Sequence, residues 1–82
     1  MIIKYALATE KSIRLMESEN KLVFVVDKKA TKNDIKKAIE EEFKVKITKI
    51  NTHIDAGGVK RAYVKFSNDT PAIDIATKLG MM

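Results

Sequence analysis

Apolar residues along this chain alternate between two spacings, and each change of spacing marks an element. IIKYA, residues 2–6, is a short apolar run that predicts an edge strand. Thr9 then stands where a helix N-cap belongs, with Glu10 at the positive helix end and Ile13 and Met16 carrying the apolar face, Leu15 beside it. This helix should end near ESEN, 17–20. KLVFVVD, 21–27, predicts a strand apolar on both faces: Leu22, Phe24 and Val26 on one, Val23 and Val25 on the other. TKNDIKKAIEEEFK, 31–44, is the clearest helix. Thr31 and Asp34 form a capping box with Asp in place of Glu, and Ile35, Ala38, Ile39 and Phe43 make one stripe.

VKITKINTHI, 45–54, reads as a strand whose alternation changes phase. Val45 and Ile47 share one phase, while Ile50, Thr52 and Ile54 share the other, which predicts a bulge between Ile47 and Ile50. DAGG, 55–58, is a turn whose glycines allow positive φ, and KRAYVKF, 60–66, returns as a strand with Ala62, Val64 and Phe66 inward. TPAIDIATKLG, 70–80, predicts a last helix, capped by Thr70, with Pro71 at its first position and Gly80 closing it. The strand–helix–strand crossover from 21–27 to 45–54 should be right-handed and parallel, with strand 60–66 antiparallel between the two. That is a split β-α-β arrangement in an α/β sandwich of the α+β kind, with residues 1–82 forming one domain.

Composition narrows the chemistry. There is no cysteine and one histidine, His53, so neither a disulfide framework nor a thiolate or imidazole metal cluster is expected. No apolar run approaches the roughly 20 residues of a membrane span, and no leader pattern opens the chain; a soluble, intracellular protein is the expectation. No convincing nucleophile lies near His53 in sequence. Glu40, Glu41 and Glu42 occupy consecutive helix positions and splay apart, so they form a solvated face rather than a carboxylate pair. No enzyme and no cofactor is expected.

Charge points elsewhere. Sixteen Lys and Arg against eleven Asp and Glu leave +5, and residues 21–49 alone carry nine bases against five acids. An excess of this size on a small chain suits a polyanionic partner. Arg61, Tyr63 and Lys65 alternate outward along one strand, with Lys46, Thr48, Lys49, Asn51 and His53 on its partner. Such a face is either solvated or a phosphate-binding surface rich in hydrogen-bond donors. KRAYVKF also matches part of the octamer of RNA-recognition modules. With Val64 and Phe66 aligned to its end, Tyr63 takes one stacking position, but Arg61 fills the other and Lys60 replaces the glycine. A free-standing small RNA-binding module with a ferredoxin-like fold is therefore an alternative, and a protein–protein adaptor a further one.

Three stretches together resemble one family: ATEKSIRL (8–15) with its TEK triplet, NKLVFVVDKKATKNDIKKAIEEEFKVKITKINT (20–52), and KRAYVKF. In this order they resemble the large-subunit ribosomal protein L twenty-three family, and the short 55–60 loop is similar to its archaeal-like short form. The resemblance implies a four-stranded, mainly antiparallel sheet in the order 1-2-4-3 with helices packed on it. It implies a cytoplasmic, ribosomal location and binding to large-subunit rRNA beside the polypeptide exit tunnel, among neighbouring large-subunit proteins. There the family forms a docking platform for signal recognition particle, the protein-conducting channel and nascent-chain chaperones, without inserting into a membrane. By the same resemblance Thr9 and Lys11 lie near RNA, Glu10 faces docking factors, and Asn20, Lys21, Asn51, Thr52, Lys60, Arg61 and Tyr63 lie on or near the RNA side. Arg14, Lys46, Lys49 and Lys65 complete the expected RNA-binding set.

Overall fold

The computed structural model describes residues 2–79. The elements run β1 (Ile3–Ala6), α1 (Glu10–Glu19), β2 (Lys21–Val26), α2 (Lys32–Phe43), β3 (Ile47–Ile54), β4 (Lys60–Phe66) and α3 (Ala72–Lys78). The four strands form one sheet in the order β1-β2-β4-β3, with every neighbouring pair antiparallel. β2 and β3 therefore run parallel to each other with β4 between them, as the split arrangement requires.

Register sorts the strand residues onto two faces, because directly opposed residues in an antiparallel pair point the same way. Leu22, Phe24 and Val26 oppose Val64, Ala62 and Lys60. Ile50, Thr52 and Ile54 oppose Val64, Ala62 and Lys60 from the other side. This face carries the core. Met16 of α1, Ile35 and Ile39 of α2, and Ala72, Ile75 and Ala76 of α3 join Leu22, Phe24, Val64 and Phe66 in one buried cluster. Burial of each large side chain contributes roughly 1.5–3 kcal/mol. β2 has buried residues in both phases from Leu22 to Val26, as its continuous apolar run demands.

The change of phase in the third strand is a register shift between Ile47 and Lys49, where the Thr48 hydroxyl donates to the Lys65 carbonyl at 3.2 Å. The shift lets both Ile47 and Ile50 reach the core. It also delays the strand, so Val45 and Lys46 precede β3 instead of opening it. In the 55–58 turn only Gly58 has a positive φ, +83°. The positive φ is what favours glycine there; a Cβ would lie 2.9 Å from Lys28 Nζ, the mobile end of an exposed side chain that can move aside.

α2 opens as expected. Thr31 Oγ1 accepts from the Asp34 N–H at 3.2 Å, and Asp34 Oδ2 accepts from the Thr31 N–H at 3.1 Å. The backbone bond from Thr31 holds the Asp34 carboxyl below its usual range, helped by the Thr31 side chain and by the charges of Lys37 and Lys60. A carboxylate with a depressed folded pKa adds stability above its unfolded pKa and loses it as pH falls through the folded value. Acid titration of unfolding should therefore show a steeper loss below about pH 4 for the wild type than for Asp34→Asn. Parallel curves would remove Asp34 from this role.

α3 departs from expectation. Thr70 does not cap it, and Pro71 occupies the N-cap position without a side-chain bond. Proline has no side-chain acceptor, so the first free N–H of the helix, that of Ala72, donates instead to Asn20 Oδ1 at 2.6 Å. Gly80, expected to close this helix, lies outside the described residues.

Candidate nucleic-acid interface

The face opposite the core is built in three transverse rows. Lys21, Lys65 and Lys49 form the first, Val23, Tyr63 and Asn51 the second, and Tyr5, Val25, Arg61 and His53 the third. On β3 and β4 this face is open: Lys49, Asn51, His53 and Lys65 are exposed, while Arg61 and Tyr63 are half-buried. Like charges directly opposed across strands destabilise a sheet. The lysine row thus carries a repulsion that, among the described residues, Glu19 relieves at one end, 3.2 Å from Lys21 Nζ. A polyanion laid across the row would relieve it further.

Arg61 is held on this face by Asp55, 3.6 Å away. Asp55 Oδ1 also accepts from the Gly57 and Val59 amides at 2.9 and 3.1 Å. Those backbone bonds, with the charges of Arg61 and His53, hold its carboxyl below the usual range. Asp55 thus stays ionised, fixes the turn and orients the guanidinium. Arg61 Nε is buried and makes no hydrogen bond among the described residues.

The TEK triplet meets this face. Leu7, Thr9, Lys11, Ser12 and Leu15 border a recess of about 50 Å³ with Val23, Arg61 and Tyr63. The expected N-cap is present: Thr9 Oγ1 accepts from the Ser12 N–H at 3.2 Å, and Ser12 Oγ accepts from the Thr9 N–H at 2.8 Å. Ser12 is the buried partner of this box, and its hydroxyl proton can go to the Leu7 or the Thr9 carbonyl. Thr9→Ala should lower stability by about 1 kcal/mol, while Thr9→Ser should hold it; equal melting of all three proteins would rule the box out as a stabilising element. Glu10 is exposed and ion-paired with Arg14 at 2.8 Å, a pair worth about 0.3–0.5 kcal/mol. The pair keeps Glu10 at the surface but partly neutralised.

Of the expected RNA-binding residues, the structure brings Lys21, Lys49, Asn51, Arg61, Tyr63 and Lys65 onto one face, with Thr9 and Lys11 at its rim. Others fall elsewhere. Thr52 opposes Ala62, on the core face. Lys60 opposes Val26 and Ile54 in the same phase, and its ammonium donates to the Ala30 carbonyl. Lys46 lies exposed before β3, its carbonyl accepting from Ser67 N–H, and Arg14 lies one turn along α1. Asn20 turns inward and bonds within the fold through both ends of its amide. Tyr5 joins the open face although its short strand gave no phase to read: the register shifts between Ile3 and Tyr5.

Fold and face together define a small α+β protein whose helices pack on the core face of its sheet, with α1 reaching the rim of the other face, where β3 and β4 present a basic, hydrogen-bonding surface. The chain belongs to the ribosomal protein L23 family, whose model matches residues 1–76. It is a large-subunit ribosomal protein, and the family points to a structural, non-enzymatic role in translation. Among the described residues no helix is long and apolar enough to cross a membrane.

Proposed function

We propose that the chain binds large-subunit rRNA through the open face of its sheet, beside the exit of the nascent-peptide tunnel. The observation that carries this reading is the Lys21–Lys65–Lys49 row, three like charges aligned across three strands with Arg61, Tyr63 and Asn51 beside them. Lysines supply charge to phosphates without reading sequence, Arg61 adds a guanidinium fork, and Asn51 and Tyr63 add hydrogen bonds. Binding of this kind depends on backbone shape and salt more than on base identity.

The second part of the proposal concerns partners. Glu10, exposed at the start of α1, lies on the helix whose N-terminal turn rims the RNA face. It serves as one acidic contact for factors that dock at the exit: signal recognition particle, the protein-conducting channel and chaperones. Neighbouring large-subunit proteins cover other parts of the chain.

The test is sedimentation of the tagged protein with large subunits through a high-salt sucrose gradient, before and after ribonuclease digestion. Near-stoichiometric retention that digestion abolishes supports rRNA as the partner. Loss in high salt alone would favour the free-standing RNA-binding module instead. On intact particles, Glu10→Lys should weaken factor docking and leave subunit assembly unchanged.

A further inference from the structure

At one end of the sheet, β1, the last residues of β2 and the turn between β3 and β4 enclose a second recess. Its volume is about 450 Å³, within the roughly 300–1,000 Å³ of small-ligand sites. Tyr5 and Val25 line it with Lys4, Asp27, Lys28 and Lys60. Three ammonium groups against one carboxylate leave it positive. Tyr5 is 57% exposed, the most open of the large apolar side chains among the described residues. An exposed tyrosine on an edge strand buries little in the free protein, so packing does not account for it.

Two lysines stand at its wall, one of them tied down by the fold. Lys28 Nζ lies over Gly58, where a Cβ would come within 2.9 Å, and Lys60 is tied to the Ala30 carbonyl. The turn that needs glycine thus leaves room for an ammonium at the recess wall. Tyr5 meanwhile continues the third row of the open face, beside Val25 and Arg61. An RNA strand crossing that face reaches the recess without leaving the protein surface.

We infer that this recess takes a single unstacked nucleotide of an RNA strand, its base against the ring of Tyr5 and its phosphate between Lys4 and Lys28. The inference rests on the rRNA-binding reading above and extends it to residues outside the lysine row. Stacking of an unpaired base on an aromatic ring tolerates any base, since each has a π-face.

The test uses deproteinised large-subunit rRNA as the probe. Ultraviolet crosslinking of the wild-type complex, followed by mass spectrometry, should find a nucleotide adduct on the peptide containing Tyr5. Tyr5→Leu should weaken rRNA binding roughly tenfold, and Tyr5→Phe should keep it. Tyr5 is exposed, so circular dichroism of both variants should match wild type. Adducts confined to Tyr63, with Tyr5→Leu binding as tightly as wild type, would overturn the nucleotide site and leave the lysine face standing. No salt-sensitive binding of this rRNA by wild type would overturn both.

Discussion

Asn20→Ala should lower the stability of this protein by about 4 kcal/mol, the largest effect expected of any single polar substitution here. Asn20 closes α1 in the left-handed region, at φ 55°, ψ 41°. Its amide N–H groups reach the carbonyls of Phe66, Ser67 and Thr70 at 3.3, 3.1 and 3.0 Å, and its Oδ1 accepts from Ala72 N–H. One residue therefore ends α1 through its backbone, and through its side chain ties down the segment after β4 and caps α3. Alanine loses about two net amide bonds and the cap, each worth about 1 kcal/mol, and pays a further ~1 kcal/mol for an alanine at positive φ.

Two more substitutions separate these contributions. Asn20→Gly accepts the backbone without strain and should recover about 1 kcal/mol relative to alanine. Asn20→Asp keeps an acceptor for Ala72 N–H but sets a carboxylate against three carbonyl oxygens, so it should be no better than alanine. For a chain of this size the alanine variant should melt more than about 10 °C below wild type. Urea unfolding gives the free energies directly. An alanine variant within about 0.5 kcal/mol of wild type, the range of an ordinary surface change, would contradict the assignment.

The second large effect lies on the open face. Replacing Lys21, Lys49 and Lys65 together by glutamine should reduce the salt dependence of rRNA binding by about three units of log K against log salt. Glutamine keeps much of each stem and removes only the charge. The same triple variant should unfold at or slightly above the wild-type midpoint, because it relieves like-charge repulsion across three strands. Weaker binding joined to undiminished stability is the signature of residues placed for a partner. An unchanged salt slope would mean that the row is only a solvated face. A triple variant that loses stability would mean that the lysine stems are needed for packing.

The contrast between Asn20 and the lysine row shows which features local sequence can reveal. β2 was legible because five consecutive apolar residues can be buried only with cover on both faces. The bulge in β3 was legible from the phases of Ile47 and Ile50, and the box opening α2 from the spacing of Thr31 and Asp34. These signals lie within a few residues. The tasks of Asn20 span 46 to 52 residues, and no local pattern announces that a residue ending one helix will cap another. Thr70 before Pro71 looked like the better cap for that reason.

On the candidate site, alternation divides the expected residues between the two faces of the sheet. Lys60 shares its phase with Ala62, Val64 and Phe66, and Thr52 shares its phase with Ile50 and Ile54. Both facts were visible in the sequence; the resemblance puts these residues on or near the RNA side, and in the sheet they share the core phase while Arg61 and Asn51 face the other way. Ser12 was missed because a capping box is usually sought with Glu or Gln at its third position, and Tyr5 because a register shift conceals the phase of a strand only four residues long.

On the proposed reading, one face of this sheet meets rRNA while the helical side does not. Lysine acetylation of purified large subunits, read residue by residue against the free protein, tests it most directly. Lys21, Lys49 and Lys65 should be protected in the particle, while Lys32, Lys36 and Lys37, exposed on α2, should react as they do in the free protein. Protection of the α2 lysines with the sheet row left reactive would contradict the account, since the RNA would then lie against the opposite side of the molecule.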